Sequence, residues 1–376
     1  MLSIFCSPAR YTQGKNATAS LGLEMSTLGI EGPALIVAGR SARSLLSDVW
    51  RTSLGEAGIA YHVHNFSGEC SASEIERIDK AVRETATRVI IGAGGGKVLD
   101  AARAAAADCN LPVVNCPTVA SSDAPCSALS VIYTDDGSFE QYRIYRKNPD
   151  LVLVDTQVIA KSPPRLLAAG MGDALATWFE AKTCVDGSIK NMRGGASTQT
   201  ALALAELCYR TLLNDGADAL RAVQIQAVTP SLERLVEANT LLSGLGFESS
   251  GLAAAHAIHN GLTAVPPTHA FLHGEKVAFG VLVQLILEGK PRSLVDQVLE
   301  FSAEVGLPMT LADVGLGEMT GEMLQRIATR STAKGETIHN EPFEVRPELV
   351  SDAICAADAT GRAWKQKHGF AAAVRA

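Results

Sequence analysis

Four of the chain's eight histidines fall within the short stretch from His256 to His273. His256 and His259 stand at i, i+3 in Ala253-Ala254-Ala255-His256-Ala257-Ile258-His259-Asn260-Gly261. On a helix they share one face, in a stretch apolar enough to be buried. His273 follows in Leu272-His273-Gly274-Glu275-Lys276, at an expected helix start. One acid, Asp173, opens an otherwise apolar helical run in Gly170-Met171-Gly172-Asp173-Ala174-Leu175-Ala176. Imidazole plus carboxylate is a donor set that suits Zn²⁺, and three protein ligands leave a position for substrate. Each piece also has a plainer reading, as a satisfied core histidine or as a helix N-cap aspartate. The remaining histidines, His62, His64, His339 and His368, are scattered and read as surface or core.

Two further segments suit a phosphate-bearing ligand. Ile90-Ile91-Gly92-Ala93-Gly94-Gly95-Gly96-Lys97-Val98-Leu99-Asp100 lies where a strand should end and a helix begin. Glycines admit close approach of a ligand to the backbone, and N–H groups at a helix N-terminus attract phosphate oxygens. The turn is not a P-loop, because Ile91 and Val98 stand where that motif needs Gly and Ser or Thr. Nor does it complete G-x-G-x-x-G, since Lys97 takes the last position. A ligand-free glycine turn is the competing reading. Pro117-Thr118-Val119-Ala120-Ser121-Ser122-Asp123-Ala124-Pro125 sets hydroxyls and a carboxylate after the next strand, where open α/β sheets bind ligands; an ordinary polar turn is the alternative.

The elements that would position these groups change character along the chain. Short apolar runs at Ala34–Val37, Tyr61–His64, Arg88–Ile91, Pro112–Asn115, Leu129–Tyr133 and Leu151–Val154 read as strands, with helices between several of them, such as Ser73–Thr85 and Leu99–Asp108. Ser73 and Glu76 have the spacing of a capping box. Strands alternating with helices predict a parallel sheet with right-handed crossovers. After Ser162-Pro163-Pro164 the chain turns into Ala- and Leu-rich helical stretches: Gly172–Cys184, Ser197–Leu213, Ala219–Leu242, Gly251–Ala264 and His273–Leu287. The expected organisation is an α/β domain over residues 1–160 and an all-α domain over 161–376.

Composition narrows the partners. In 376 residues, 47% are hydrophobic and 19% charged, enough for a sizeable core and too apolar for disorder. A net charge of −7 argues against nucleic acid or an anionic membrane as partner. The eight cysteines contain no C-x-x-C and read as reduced thiols of a cytoplasmic protein. Met1–Arg10 lacks the basic start and apolar stretch of a secretory signal, and the longest apolar runs are too short to span a bilayer.

With Tyr11-Thr12-Gln13-Gly14, Gly92–Asp100, Pro117–Ala124, Asn148–Asp155, Gly170–Thr177, Gly251–Gly261 and His273–Phe279 in order along the chain, the sequence resembles the iron-containing alcohol dehydrogenase family. The resemblance implies an N-terminal nucleotide-binding α/β domain, a C-terminal helical domain and an active site in the cleft between them. It implies oxidation of glycerol to dihydroxyacetone, or of related vicinal diols, by zinc-assisted hydride transfer to NAD. It makes Asp173, His256 and His273 the metal ligands, which with Asp123 also meet the substrate. Gly94, Gly95, Gly96, Lys97 and Asp100 become the pyrophosphate loop, and Thr118, Ser121, Ser127, Leu129 and Tyr133 the nicotinamide side. Asp123 would hold a substrate hydroxyl, and His259 would relay a proton or sit behind the metal ligands. Family members are commonly homo-oligomers, often octamers.

Two departures matter. Iron-using relatives carry a histidine four residues after the aspartate, where this chain has Thr177, which favours zinc. NAD-selective proteins hold the adenosine ribose with an acid after an early strand, but Ile36-Val37 is followed by Ala38-Gly39-Arg40-Ser41, which leaves NADP open. Rival readings share the fold: a dehydroquinate synthase-like lyase or a glycerol-1-phosphate dehydrogenase-like enzyme. Both need a basic cluster for an anionic substrate, and only Lys276 and Arg143 stand near the expected site. A non-catalytic nucleotide-binding module with a structural metal would want four protein ligands.

Overall fold

The protein is described here by a computed structural model that covers residues 1–369. Among the described residues there are eight strands: β1 (Tyr11–Gly14), β2 (Ala34–Ala38), β3 (Tyr61–Asn65), β4 (Val89–Gly94), β5 (Val113–Pro117), β6 (Leu129–Tyr133), β7 (Phe139–Ile144) and β8 (Leu151–Asp155). Six form one sheet in the order β1-β8-β5-β4-β2-β3, with every neighbouring pair parallel. The helices of this part are α1 (Leu21–Thr27), α2 (Arg40–Glu56), α3 (Ala72–Glu84), α4 (Gly96–Asp108) and α5 (Thr156–Ala160). Along β2, Ala34, Ile36 and Ala38 join one core with Leu21, Met25, Leu46 and Trp50, while Leu35 and Val37 join the other with Ile75, Ile78, Ala101 and Ala105. A sheet covered on both faces needs no polar alternation, which is why β2, β4, β5 and β8 are buried throughout and apolar apart from Asn115 and Asp155.

Three details differ from the sequence reading. The run Leu129–Tyr133 is not in the parallel sheet: β6 pairs antiparallel with β7, Leu129 opposite Ile144. Its alternating burial shows a strand covered on one face only, which an apolar run of this length does not reveal. Strand β1, with no apolar run, was not anticipated; it lies at the sheet edge and Tyr11 pairs with Val152. Helix α3 is capped two residues earlier than expected, since Ser71 Oγ accepts from Glu74 N at 3.4 Å while Ser73 Oγ donates to Asp135 Oδ1 at 2.6 Å.

The remaining helices are α6 (Pro164–Asp186), α7 (Gln199–Gln224), α8 (Pro230–Glu237), α9 (Ser243–Ser250), α10 (Ala254–Leu262), α11 (His273–Leu287), α12 (Arg292–Val305), α13 (Gly321–Ser331) and α14 (Pro347–Lys367). The stretch Ala219–Leu242 is not one helix. Helix α7 ends at Gln224, Thr229 caps α8 by accepting from Leu232 N at 3.3 Å, Pro230 takes its first turn, and Ala238–Leu242 is a π-helical segment. Pro164 likewise starts α6 rather than ending an element.

By packing, the chain falls into two compact units. One comprises Cys6–Pro164 with Arg221–Leu245; the other comprises Met1–Phe5, Arg165–Leu220 and Gly246–Ala376. The first holds the sheet and the second is helical. Residues 221–245, read from the sequence as part of the helical domain, pack with the sheet unit. Residues 370–376 of the expected domain 161–376 lie outside the described residues. No helix among the described residues is long and apolar enough to cross a membrane.

Candidate functional site

In the helical unit, Asp173 does not cap a helix. It sits in the middle of α6, fully buried. Gly170 and Gly172 mimic a helix start in the sequence, but the helix runs through them because α11 approaches there. A Cβ on Gly172 would stand 2.3 Å from Gly274 O, and one on Gly274 would stand 1.8 Å from Ala169 O. Glycine at both positions lets the two helices touch backbone to backbone, one residue away from Asp173 and from His273. Gly280 does the same for α10, where a Cβ would meet Ala255 O at 2.4 Å.

These contacts bring three side chains together. Asp173 Oδ1 lies 3.0 Å from His273 Nε2 and 3.4 Å from His256 Nε2, and one donor atom from each residue fits within a 4.8 Å cluster. Ligand atoms of a tetrahedral zinc at about 2.0–2.1 Å stand about 3.3 Å apart. The donor set and its spacing therefore fit a zinc-sized ion. The His273 side chain remains 40% exposed, so the cluster opens on one side.

The surrounding groups orient both imidazoles. Glu180, fully buried one helical face along from Asp173, accepts from His256 Nδ1 at 2.6 Å. Its other oxygen accepts from Ala253 N at 2.8 Å and His256 N at 3.0 Å. Glu341 accepts from Ala254 N at 3.2 Å and Gln284 from Ala255 N at 3.0 Å. The N–H groups that open α10 are thus satisfied by side chains from elsewhere in the unit, not by a local cap. At His273, Glu275 accepts from Leu272 N at 2.9 Å and is gripped by Arg165 through two bonds of 2.7 Å. His273 Nδ1 meets His259 Nε2 at 2.9 Å, His259 Nδ1 meets Asn260 Oδ1 at 3.1 Å, and Asn260 donates to Glu336 at 2.9 Å.

The electrostatics follow from this packing. Burial works to raise the Asp173 pKa, but the imidazoles of His273 and His256 outweigh it and hold the carboxyl well below its usual range. Burial works against a charged His256, yet Glu180 and Asp173 raise its pKa well above the usual value. His259 is pushed the other way, by burial and then by His273 and Lys276, and stays neutral.

In the sheet unit, the glycine turn stands at the carboxyl end of β4. Gly95 precedes α4 with no side-chain cap. A Cβ on Gly94 would strike Val98 Cγ2 at 2.6 Å, so that glycine serves packing. Around Gly95 and Gly96 the nearest atoms would be Val119 Cγ2 at 3.4 Å and Ser122 Oγ at 3.5 Å, leaving a cradle above an uncapped helix start. That arrangement fits a pyrophosphate. Lys97 points its charge at Glu69 Oε1, 2.5 Å away, and lies over the Tyr133 ring at 5.3 Å. Asp100 turns inward, 2.9 Å from Arg103 Nη1, and accepts from Val131 N at 3.0 Å. Buried Arg103 also donates to the carbonyls of Leu129 and Ala124, which ties the 118–129 loop to α4. Thr118 N donates to Gly94 O at 3.0 Å, Ser121 is half-buried, and Ser127 is buried with its hydroxyl 3.5 Å from Ala124 O. Asp123 is half-buried and accepts from Ser243 Oγ at 3.4 Å; Asn239 donates to Ala120 O at 3.1 Å.

Glu180, Arg103, Asn239 and Ser243 were not singled out from the sequence. A signal existed for Glu180, which lies seven residues after Asp173 and so on the same helix face.

Residues 8–156 match the model of the family described as iron-containing alcohol dehydrogenase. The chain is 51% identical over 365 residues to a glycerol dehydrogenase of Thermotoga maritima, covering 97% of this chain and 99% of that one. The chain belongs to the iron-containing alcohol dehydrogenase family. A glycolaldehyde reductase of Halobacterium salinarum is 47% identical over 362 residues, covering 96% of this chain and 99% of that one. The solved structure of glycerol dehydrogenase from Schizosaccharomyces pombe superposes with a TM-score of 0.94 at 38% identity, covering 98% of this chain and 94% of that one. The family assignment makes this protein an oxidoreductase with an α/β and an α-helical domain.

Proposed function

We propose that this protein oxidises glycerol to dihydroxyacetone with NAD as hydride acceptor, using a zinc ion held by Asp173, His256 and His273, and that related vicinal diols are substrates too. The observation that carries the reading is the three-residue cluster with one open side, in a chain half identical over nearly its full length to a glycerol dehydrogenase. The ion, when bound, supplies Lewis acidity toward a substrate hydroxyl. The dinucleotide, when bound, supplies the hydride acceptor.

The chain's own residues bind and orient. Asp173 contributes the negative charge of the ligand set. Glu180, as an acceptor at His256 Nδ1, leaves the His256 Nε2 lone pair for the ion. Neutral His259 accepts at Nε2 from His273 Nδ1, which does the same for His273. His259 thus acts through His273, and we place it as a positioning residue. Gly95 and Gly96 leave room for the pyrophosphate, and Asp123 is assigned to orient a free hydroxyl of the polyol. The basic groups an anionic substrate would require are engaged elsewhere: Lys276 donates to Phe271 O at 3.1 Å, and Arg143 pairs with Asp108 at 2.5 Å.

The test follows NADH formation with glycerol, 1,2-propanediol, a mono-alcohol and glycerol 1-phosphate, before and after removal of metal by a chelator. Glycerol turnover that is lost with the metal and restored by Zn²⁺ supports the reading. Turnover of glycerol 1-phosphate in preference to glycerol overturns it in favour of a phosphopolyol enzyme.

A further inference from the structure

The sheet topology marks a crevice where a dinucleotide would lie. From β2 the chain moves outward to β3, then returns past β2 to β4 and continues to β5. The crossovers therefore leave in opposite directions at β2 and β4, and open α/β sheets bind nucleotides in the crevice outside the carboxyl ends at such a switch point. The register places Ala38 opposite Ala93, so Gly39-Arg40 on one side and Gly94-Gly95 on the other leave the sheet together.

What stands beside the glycine turn is basic. Arg40 opens α2, with Gly39 as an N-cap that makes no side-chain hydrogen bond and no acid in the first turn. Arg43 follows one turn later, on the same face. Arg40 is exposed. Among the described residues neither guanidinium has a side-chain hydrogen bond or ion pair, and Arg43 Nε is buried without a partner. The acids nearest in sequence to this crevice are committed, Asp48 to Arg51 and Asp100 to Arg103, as are Glu69 to Lys97 and Glu74 to Arg77 and His64. An acid here would accept from a ribose 2′-hydroxyl; two unpaired guanidinia repel each other and suit a dianion, as an Arg does for the 2′-phosphate of NADP.

We propose that Arg40 and Arg43 bind the adenosine 2′-phosphate of NADP, so that the protein accepts NADP as well as NAD. The proposal rests on the reading of the Gly92–Asp100 turn as the dinucleotide site. The hydride acceptor is the same nicotinamide in both cofactors, and only the adenosine end differs.

Calorimetry on the purified protein tests it without turnover, with adenosine 5′-monophosphate, adenosine 2′,5′-bisphosphate and NAD as probes. The bisphosphate should bind about ten- to a hundred-fold more tightly than the monophosphate, the contribution of one or two charge-assisted hydrogen bonds. Arg40→Asp should abolish that advantage while the monophosphate and NAD still bind. Arg43→Ala should reduce it, and the ratio of kcat/KM for NADP over NAD should fall in parallel. Arg40 is exposed, so the fold does not depend on it, and the monophosphate and NAD titrations report on the rest of the site. Monophosphate and NAD binding with no gain from the 2′-phosphate, or an advantage untouched by Arg40→Asp, overturns this inference alone. Failure of all three probes to bind overturns the dinucleotide reading with it.

Discussion

Replacing Glu180 by Gln isolates the control of His256 from the packing of the helix that carries it. Glu180 makes three bonds: one oxygen accepts from Ala253 N at 2.8 Å and His256 N at 3.0 Å, and the other meets His256 Nδ1 at 2.6 Å. The carboxylate can only accept at Nδ1, which leaves Nε2 as the metal-facing nitrogen. Glutamine has one acceptor, and the two backbone N–H groups have the stronger claim on it because they are buried. Its NH₂ then turns to His256 and donates to Nδ1. The imidazole proton moves to Nε2, the atom that faces Asp173 Oδ1 at 3.4 Å and the ion.

The two backbone bonds survive and the third loses its carboxylate charge, so the metal-free protein should lose about 1.5–3 kcal/mol, against a typical total of about 5–15 kcal/mol. Metal affinity should fall about ten- to a hundred-fold, the usual effect of removing such a partner. Glu180→Ala is the contrasting control. It strands two buried N–H groups at about 1–3 kcal/mol each, so stability and metal binding should fall together. The assay is competition for Zn²⁺ against a chromophoric chelator, with Tm of the metal-free protein measured alongside. A Gln variant that binds zinc like the wild type would refute the argument, and so would one whose metal-free Tm falls as far as the Ala variant's.

Gly95→Val should leave Tm nearly unchanged, since the new Cβ meets only Val119 at 3.4 Å, yet raise the Kd for NAD about ten-fold or more by filling the cradle; a thermal melt checks the first and calorimetric titration with NAD the second. His273→Ala should abolish stoichiometric zinc, whereas His259→Ala should keep it with weakened affinity, because His259 touches only the far nitrogen of His273 at 2.9 Å. Elemental analysis of the two proteins side by side decides, and full zinc in His273→Ala would sink the ligand assignment. Burial and then the neighbouring Glu288 push the Glu341 carboxyl up from 4.5 to about 9. It is protonated when folded and ionised when unfolded across that window, so its share of stability is present at acid pH and lost as pH rises toward about 9. Glu341→Gln does not titrate. Relative to wild type it should gain stability between about pH 5.5 and pH 8.5, by at most about 1.4 kcal/mol per pH unit. Denaturant midpoints at the two pH values test this, and a pH-independent gap would be evidence against a protonated Glu341.

What was legible in the sequence were features with a local signature. The apolar runs of β2, β4, β5 and β8 betray strands buried on both faces, and Gly92–Asp100 betrays a strand-to-helix turn. Asp173, His256 and His273 stood out because polar residues in Ala-rich helices need a reason to be buried. What failed depended on partners distant in the chain. Asp173 looked like an N-cap because two glycines precede it, and only the contact with Gly274 explains Gly172. Leu129–Tyr133 could not be told from a sheet strand, because its partner, Phe139–Ile144, is too polar to read as one. The 221–245 segment is helical by composition, and nothing local says that Asn239 and Ser243 bond to the 118–128 loop of the sheet unit.

The proposal of three ligands rather than four has a ground in packing as well as in sequence. Four residues after Asp173, one turn along α6, Thr177 faces the same side of the helix and is fully buried. Its Cγ2 lies 2.6 Å from where a Cβ on Gly246 would be, so α9 crosses α6 at a distance only glycine allows. An imidazole at this position would have to displace the α9 backbone before it reached the ion, and Ala205 closes the other side of Gly246 at 3.4 Å. One further turn along, Glu180 is directed to His256 instead. The same face of α6 thus supplies the proposed ligand Asp173, the filler Thr177 and the carboxylate of Glu180 that meets His256, in succession. A site so built has an O,N,N donor set with one open side, which zinc and ferrous iron share, so the ground for proposing zinc in a family named for iron is the absence of a histidine at Thr177.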